Sequence, residues 1–165
     1  MRWQEILAVG VVLIIVMAAF VLLMPYIFPG APPPGAPSWH FKGWWQFNRQ
    51  VDTAVVGHPV TLQLEIVGQA VSVGTLKIEI KKDIPLAPDV VVHTDSKPLS
   101  LVLGQTVQVN TTFTPDKPTD TAVREYFFKL YWNDVVIYDP TIPGQRYGLK
   151  VTEVAVTYQG GEFEG

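Results

Sequence analysis

The chain has 165 residues, with 14 prolines, 13 glycines, 5 tryptophans, no cysteine and a formal net charge of −3. That length suits one domain with something attached, and the near-neutral charge gives no electrostatic footprint for nucleic acid. The lack of cysteine excludes a disulfide framework, a thiolate zinc site, an iron–sulfur cluster and a cysteine nucleophile.

Hydrophobicity is concentrated at the amino end. From Ile6 to Met24 the chain reads ILAVGVVLIIVMAAFVLLM, with no charged and no strongly polar side chain. As a helix this run is roughly 28 Å long, against a hydrocarbon core of about 30 Å. It is too long for a cleaved signal peptide, and no A-x-A site follows it. Residues 1–28 are therefore expected to form a retained transmembrane helix anchor. Arg2, Lys42 and Arg49 give only a weak positive-inside signal, and the short head before a long tail favours a cytoplasmic amino terminus. The expected localisation is a single-pass membrane protein whose carboxy-terminal domain is periplasmic or extracellular, with the lipid bilayer as its first partner.

Residues 29–46 read as a Pro/Trp-rich linker at the membrane interface. Pro29, Pro32, Pro33, Pro34 and Pro37 favour extended polyproline II. The following SWHFKGWWQF places Trp39, Phe41, Trp44, Trp45 and Phe47 where aromatics suit the headgroup layer. Two other readings stay open for them: they cap the core of the next domain, or they meet a partner.

Beyond residue 47 the apolar period becomes two. Val60, Leu62, Leu64 and Ile66 alternate with polar residues, as do Leu76, Ile78 and Ile80, then Leu99, Leu101 and Leu103, then Val107, Val109, Thr111 and Phe113. Tyr126, Phe128, Leu130 and Trp132 share one face of a late strand, with Phe127, Lys129 and Tyr131 on the other; Asn133–Asp134 makes the next turn. Runs at 135–138 and 149–158 complete the set. Short strands at this spacing, punctuated by proline and glycine, predict an antiparallel β-sandwich over 47–158, with 159–165 as a flexible tail. The late strand has aromatics on both faces, so its second face is expected to meet another surface: the Trp segment, a neighbouring subunit or a cofactor-bearing partner.

The order GHPVTLQLEIVG, TLKIEIKKD, LSLVLGQTVQVNTTFTP, REYFFKLYWND resembles the immunoglobulin-like modules of bacterial and archaeal envelope proteins over roughly residues 50–158. The resemblance is at superfamily level, and the inter-sheet cysteines of antibody domains are missing. It implies a mainly β chain, an Ig-like antiparallel β-sandwich behind its anchor and linker. It also makes Tyr126, at the start of the late strand, the candidate for a tyrosine corner.

No catalytic motif of the Walker, G-x-S-x-G, H-E-x-x-H or dinucleotide type occurs. His40, His58 and His93 are too widely spaced for a local metal site, and a cupredoxin copper centre would need a cysteine. Neither an enzyme activity nor a cofactor, metal or small-molecule substrate is expected. Asn110-Thr111-Thr112 is an N-glycosylation sequon. The expected function is that of a non-catalytic accessory or structural subunit of a multi-subunit membrane complex, respiratory, photosynthetic or similar. Its sandwich would cap or bridge other membrane-protein subunits on the outer face through Trp39, Phe41, Trp44, Trp45, Phe47, Tyr126, Phe128, Tyr131 and Trp132. One alternative is a filament or envelope protein, since Glu5 ahead of an apolar run resembles the position-five glutamate of type IV pilins and their archaeal flagellar relatives; Arg2 and Gln4 depart from that pattern. Another is the small subunit of a membrane oxidoreductase whose redox groups lie on partner chains.

Overall fold

The computed structural model describes residues 3–27, 32–120, 122–141 and 146–153, and within its helix the side-chain surroundings of 8–20 and 23. The expected tail at 159–165, residues 154–158 of the last predicted strand, and the side chains of Trp3 and Glu5 lie outside the described residues.

Helix α1 runs Trp3–Ile27. Among the described residues, no helix is long and apolar enough to cross a membrane. This overturns the expected transmembrane anchor, and with it the single-pass topology, the bilayer as partner and the two-sided localisation that rested on it.

Among the described residues ten strands follow: β1 Ser38–Gln46, β2 Arg49–Val51, β3 Thr53–Val55, β4 Val60–Val67, β5 Ser72–Lys82, β6 Val90–Leu101, β7 Thr106–Phe113, β8 Tyr126–Trp132, β9 Val135–Tyr138 and β10 Lys150–Thr152. They make two four-stranded sheets, β2-β1-β4-β7 and β6-β5-β8-β9, and a short parallel pair, β3 with β10. The four-stranded sheets are antiparallel throughout. They pack face to face, because the period-two pattern gives each an apolar side. Val60, Leu62, Leu64 and Ile66 of β4 are fully buried, as are Leu76, Ile78 and Ile80 of β5. Val109, Thr111 and Phe113 of β7 and Tyr126, Phe128, Leu130 and Trp132 of β8 complete the interior.

Turn chemistry fixes the registers. Asn133 and Asp134 both take positive φ, 48° and 66°, giving the tight hairpin between β8 and β9. Asn133 also accepts the Thr75 amide through Oδ1 at 2.9 Å, tying that hairpin to β5.

Two departures from the sequence expectation concern boundaries. Residues 38–46, read as interfacial linker, form β1 and pair with β4 from Ser38↔Val67 to Trp45↔Thr61. The strand expected to begin near Leu99 begins at Val90 and pairs with the whole of β5. Val90 and Val91 are exposed at its start, which hides the alternation there.

Tyr126 forms the corner that leads into β8. Its hydroxyl donates to the Lys117 carbonyl at 2.8 Å, accepts the Lys117 amide at 3.1 Å and lies 3.1 Å from Asp116 Oδ1. This is the tyrosine-corner arrangement, a side chain bonding back to the backbone upstream of its own strand. Burial pushes the hydroxyl up to about 12, with the Lys117 amide opposing and the Asp116 carboxylate adding to the rise. At neutral pH, Tyr126→Phe is expected to cost about 1–3 kcal/mol in urea unfolding, because it strands the Lys117 groups. A raised pKa holds its contribution below pH 10 and loses it as pH climbs through about 12. The gap between wild type and variant should therefore close over that interval.

Candidate functional site

β1 leaves Gly35 and Pro37 as the outermost strand of its sheet over residues 38–41, and β9 is the edge of the other sheet. Where these edges approach, aromatic rings fill the seam. Trp39 lies 4.3 Å from Tyr138 and meets Phe128 edge-on at 5.7 Å. Phe41 stacks on Tyr147 at 4.5 Å, with Phe128 near-parallel to both at 6.0 and 6.2 Å. The backbone of Tyr147 is fixed as well, its carbonyl accepting Trp44 Nε1 at 3.0 Å. The rings are thus held from both sheets.

An open groove of about 650 Å³ runs along this seam, lined by Pro32, Pro37, Ser38, Trp39, His40, Phe41, Gln69, Ile137 and Tyr147. Within its lining, Gln69 Nε2 donates to Ser38 Oγ at 2.8 Å. Tyr147 is 46% exposed.

Close by in the fold lies a buried charge cluster. Arg146 reaches Asp83 Oδ2 through Nη2 at 2.7 Å, and its Nε lies 2.6 Å from Glu125 Oε1. The second is a charge contact without the direction of a hydrogen bond. Main-chain bonds Asp83 N to Glu125 O and Arg124 N to Asp83 O, both 2.9 Å, hold the two acids side by side. The guanidinium also lies 4.0 Å over the Phe127 ring. This explains the second apolar face of β8 without an outside partner. Phe127 is covered by Arg146, and Tyr131 by Lys77 Nζ at 4.0 Å, with its hydroxyl donating to Glu79 at 2.8 Å.

The residues expected to meet partners are spread over different environments. Trp44, Tyr126, Phe128 and Trp132 are at most 2% exposed and belong to the sandwich core. Trp39, Phe41, Trp45 and Tyr131 are half-buried, and Phe47 is exposed in the β1–β2 turn beside His58. Of this set only Trp39 and Phe41 meet in the groove. Asn110 is exposed on β7, the edge of its sheet. His93 contacts Thr111 Oγ1 at 3.2 Å, and among the described residues no group of three or more His, Asp or Glu side chains is placed to hold a metal ion. Tyr147 and Arg146 escape sequence reasoning because they follow a turn and belong to no periodic run.

No protein-family model and no curated protein matches the chain. Among solved structures it is similar to the C-terminal domain of wzt, at a TM-score of 0.47 and 9% identity over 79% of this chain and 85% of that one. It is similar to a β-glucosidase from Listeria innocua, at a TM-score of 0.45 and 9% identity over 72% of this chain, which spans only 16% of that one. It is also similar to a β-glucosidase from Erythrobacter marinus, at 0.40 and 8% over 70% of this chain and 16% of that one. Likenesses this distant say nothing about binding or chemistry.

Removing Arg146 should leave two carboxylates buried without a counter-charge. Arg146→Ala is expected to lower unfolding stability by about 3–5 kcal/mol, read from urea titrations. Arg124→Ala, at an exposed neighbour, should stay within about 0.5 kcal/mol of wild type.

Proposed function

We propose that the chain is a non-catalytic structural subunit of a multi-subunit assembly, in which α1 packs among helices of other subunits and the β-sandwich is the outward module. The observation that carries this reading is the state of α1. Every residue from 8 to 20 is exposed, with Val9 and Leu13 at 65% and Ile14 at 70%. A helix that packs on its own domain shows one apolar stripe, whereas a helix apolar on every side needs cover on every side. A single partner helix covers one stripe only, so α1 calls for several neighbours.

The sandwich is read here as Ig-like. Apart from the short β2, β3 and β10, its first, second and fifth main strands share one sheet, and the third, fourth, sixth and seventh share the other. The tyrosine corner at the sixth supports the same reading. Its interior residues serve packing, which leaves recognition to its edges and loops.

Native mass spectrometry of the purified full chain tests the assembly. The expected result is a complex of defined stoichiometry with other subunits. Val9→Lys and Ile14→Lys, on separate faces of α1, should each dissociate it while leaving the sandwich's thermal transition unchanged. A lone monomer contradicts the proposal, and a polymer of this chain alone replaces it with the filament reading.

A further inference from the structure

We propose that the groove between β1 and β9 is a binding site for a neutral saccharide. The inference is independent of α1 and of the assembly, and departs from the sequence expectation that no small molecule is bound. Three features of the groove select this chemistry.

The first is its aromatic wall. Trp39, Phe41 and Tyr147 present rings whose positions are fixed by contacts of 4.3–6.2 Å with Tyr138, Phe128 and one another. Tyr147 is packed on Phe41 on one side and is nearly half exposed. Such a surface suits the C–H face of a pyranose ring, and because the rings are already immobilised, little side-chain entropy is lost on binding.

The second is the kind of polar group beside the rings. His40, Ser38 and Gln69 each carry both donor and acceptor capacity. Hydroxyl groups also donate and accept, so a run of sugar hydroxyls matches this set. A proline-rich peptide offers carbonyl acceptors, which call for dedicated donors, and the chain's own Pro32 and Pro37 already occupy part of the wall.

The third is charge. Among the described residues no Asp, Glu, Lys or Arg lines the groove, so no described side chain there compensates the desolvation of a phosphate, sulfate or carboxylate. Its volume of about 650 Å³ falls within the range of 300–1,000 Å³ typical of ligand sites.

The test uses the full chain, with tryptophan fluorescence and saturation-transfer NMR read against four neutral tetrasaccharides: cellotetraose, laminaritetraose, maltotetraose and mannotetraose. Decaproline serves as the rival probe. At least one tetrasaccharide should bind at low-millimolar concentration or better, and Tyr147→Ala should weaken it roughly tenfold. Gln69→Ala and His40→Ala, both at exposed positions whose loss leaves the core intact, should each weaken it severalfold. Phe47→Ala, an exposed aromatic outside the groove, should leave it unchanged. Binding of decaproline alone, binding of none of the probes, or saccharide binding indifferent to the Gln69 and His40 changes would each overturn the proposal.

Discussion

Phe128 sits at the point where the two sheets depend on each other. It belongs to β8, yet its ring touches Trp39, Phe41 and Trp44 of β1 in the opposite sheet, together with Tyr138 and Tyr147. An aromatic of this size contributes most of its stabilisation by leaving water, and it can do so only if β1 lies over it. The converse also holds, since Trp44 is buried against Phe128 and Phe113. The aromatic strand near the amino end and the aromatic strand near the carboxy end are therefore one structural unit, separated by about eighty residues of sequence. The groove at the seam follows from this packing, because its rings are the outer members of the same cluster.

A second constraint acts at the chain's return. The segment 146–152 is held to β8 by reciprocal bonds between Tyr126 and Leu149, of 3.0 and 2.7 Å, and to Thr119 through Val151. Arg146 anchors it in the interior against Asp83 and Glu125. Buried ion pairs seldom add net stability, but they do penalise any register that separates the charges. Here that penalty places Tyr147 against Phe41, so the charge cluster also sets the geometry of the groove. The outer face of the β5–β8 sheet is handled differently, with Lys77, Glu79, Lys129 and Asp139 forming half-exposed pairs that keep Tyr131 covered.

The period-two runs at Val60–Ile66, Leu76–Ile80, Val107–Phe113 and Tyr126–Trp132 were legible because each has one face turned to the core. The two-sided apolarity of β8 was legible too, and the Trp segment does meet that strand, though on its inner face. β1 was obscured by its composition. A strand of Trp, His, Phe, Lys and Gly next to six prolines reads as interfacial linker, and its alternation breaks at the irregularity between Phe41 and Gly43. The helix misled in a different way. An apolar run in sequence states what must be covered and does not state by what, and the membrane was the wrong choice of cover. Arg146 and Tyr147 were invisible because their partners, Asp83 and Phe41, are distant in the chain and only the fold brings them together.

These elements describe a chain of two parts: a helix whose described side chains are apolar and exposed, and a sandwich that satisfies its own core while leaving an aromatic seam open. The dependence of the second on β1 can be measured directly by native-state amide hydrogen exchange across the full chain. If the aromatic strand is integral to the sandwich, the amides of residues 39–45 that bond to β4 should be as protected as those of β4 itself, exchanging only through global unfolding. Exchange of those amides at rates typical of an extended linker, with β4 still protected, would contradict the account.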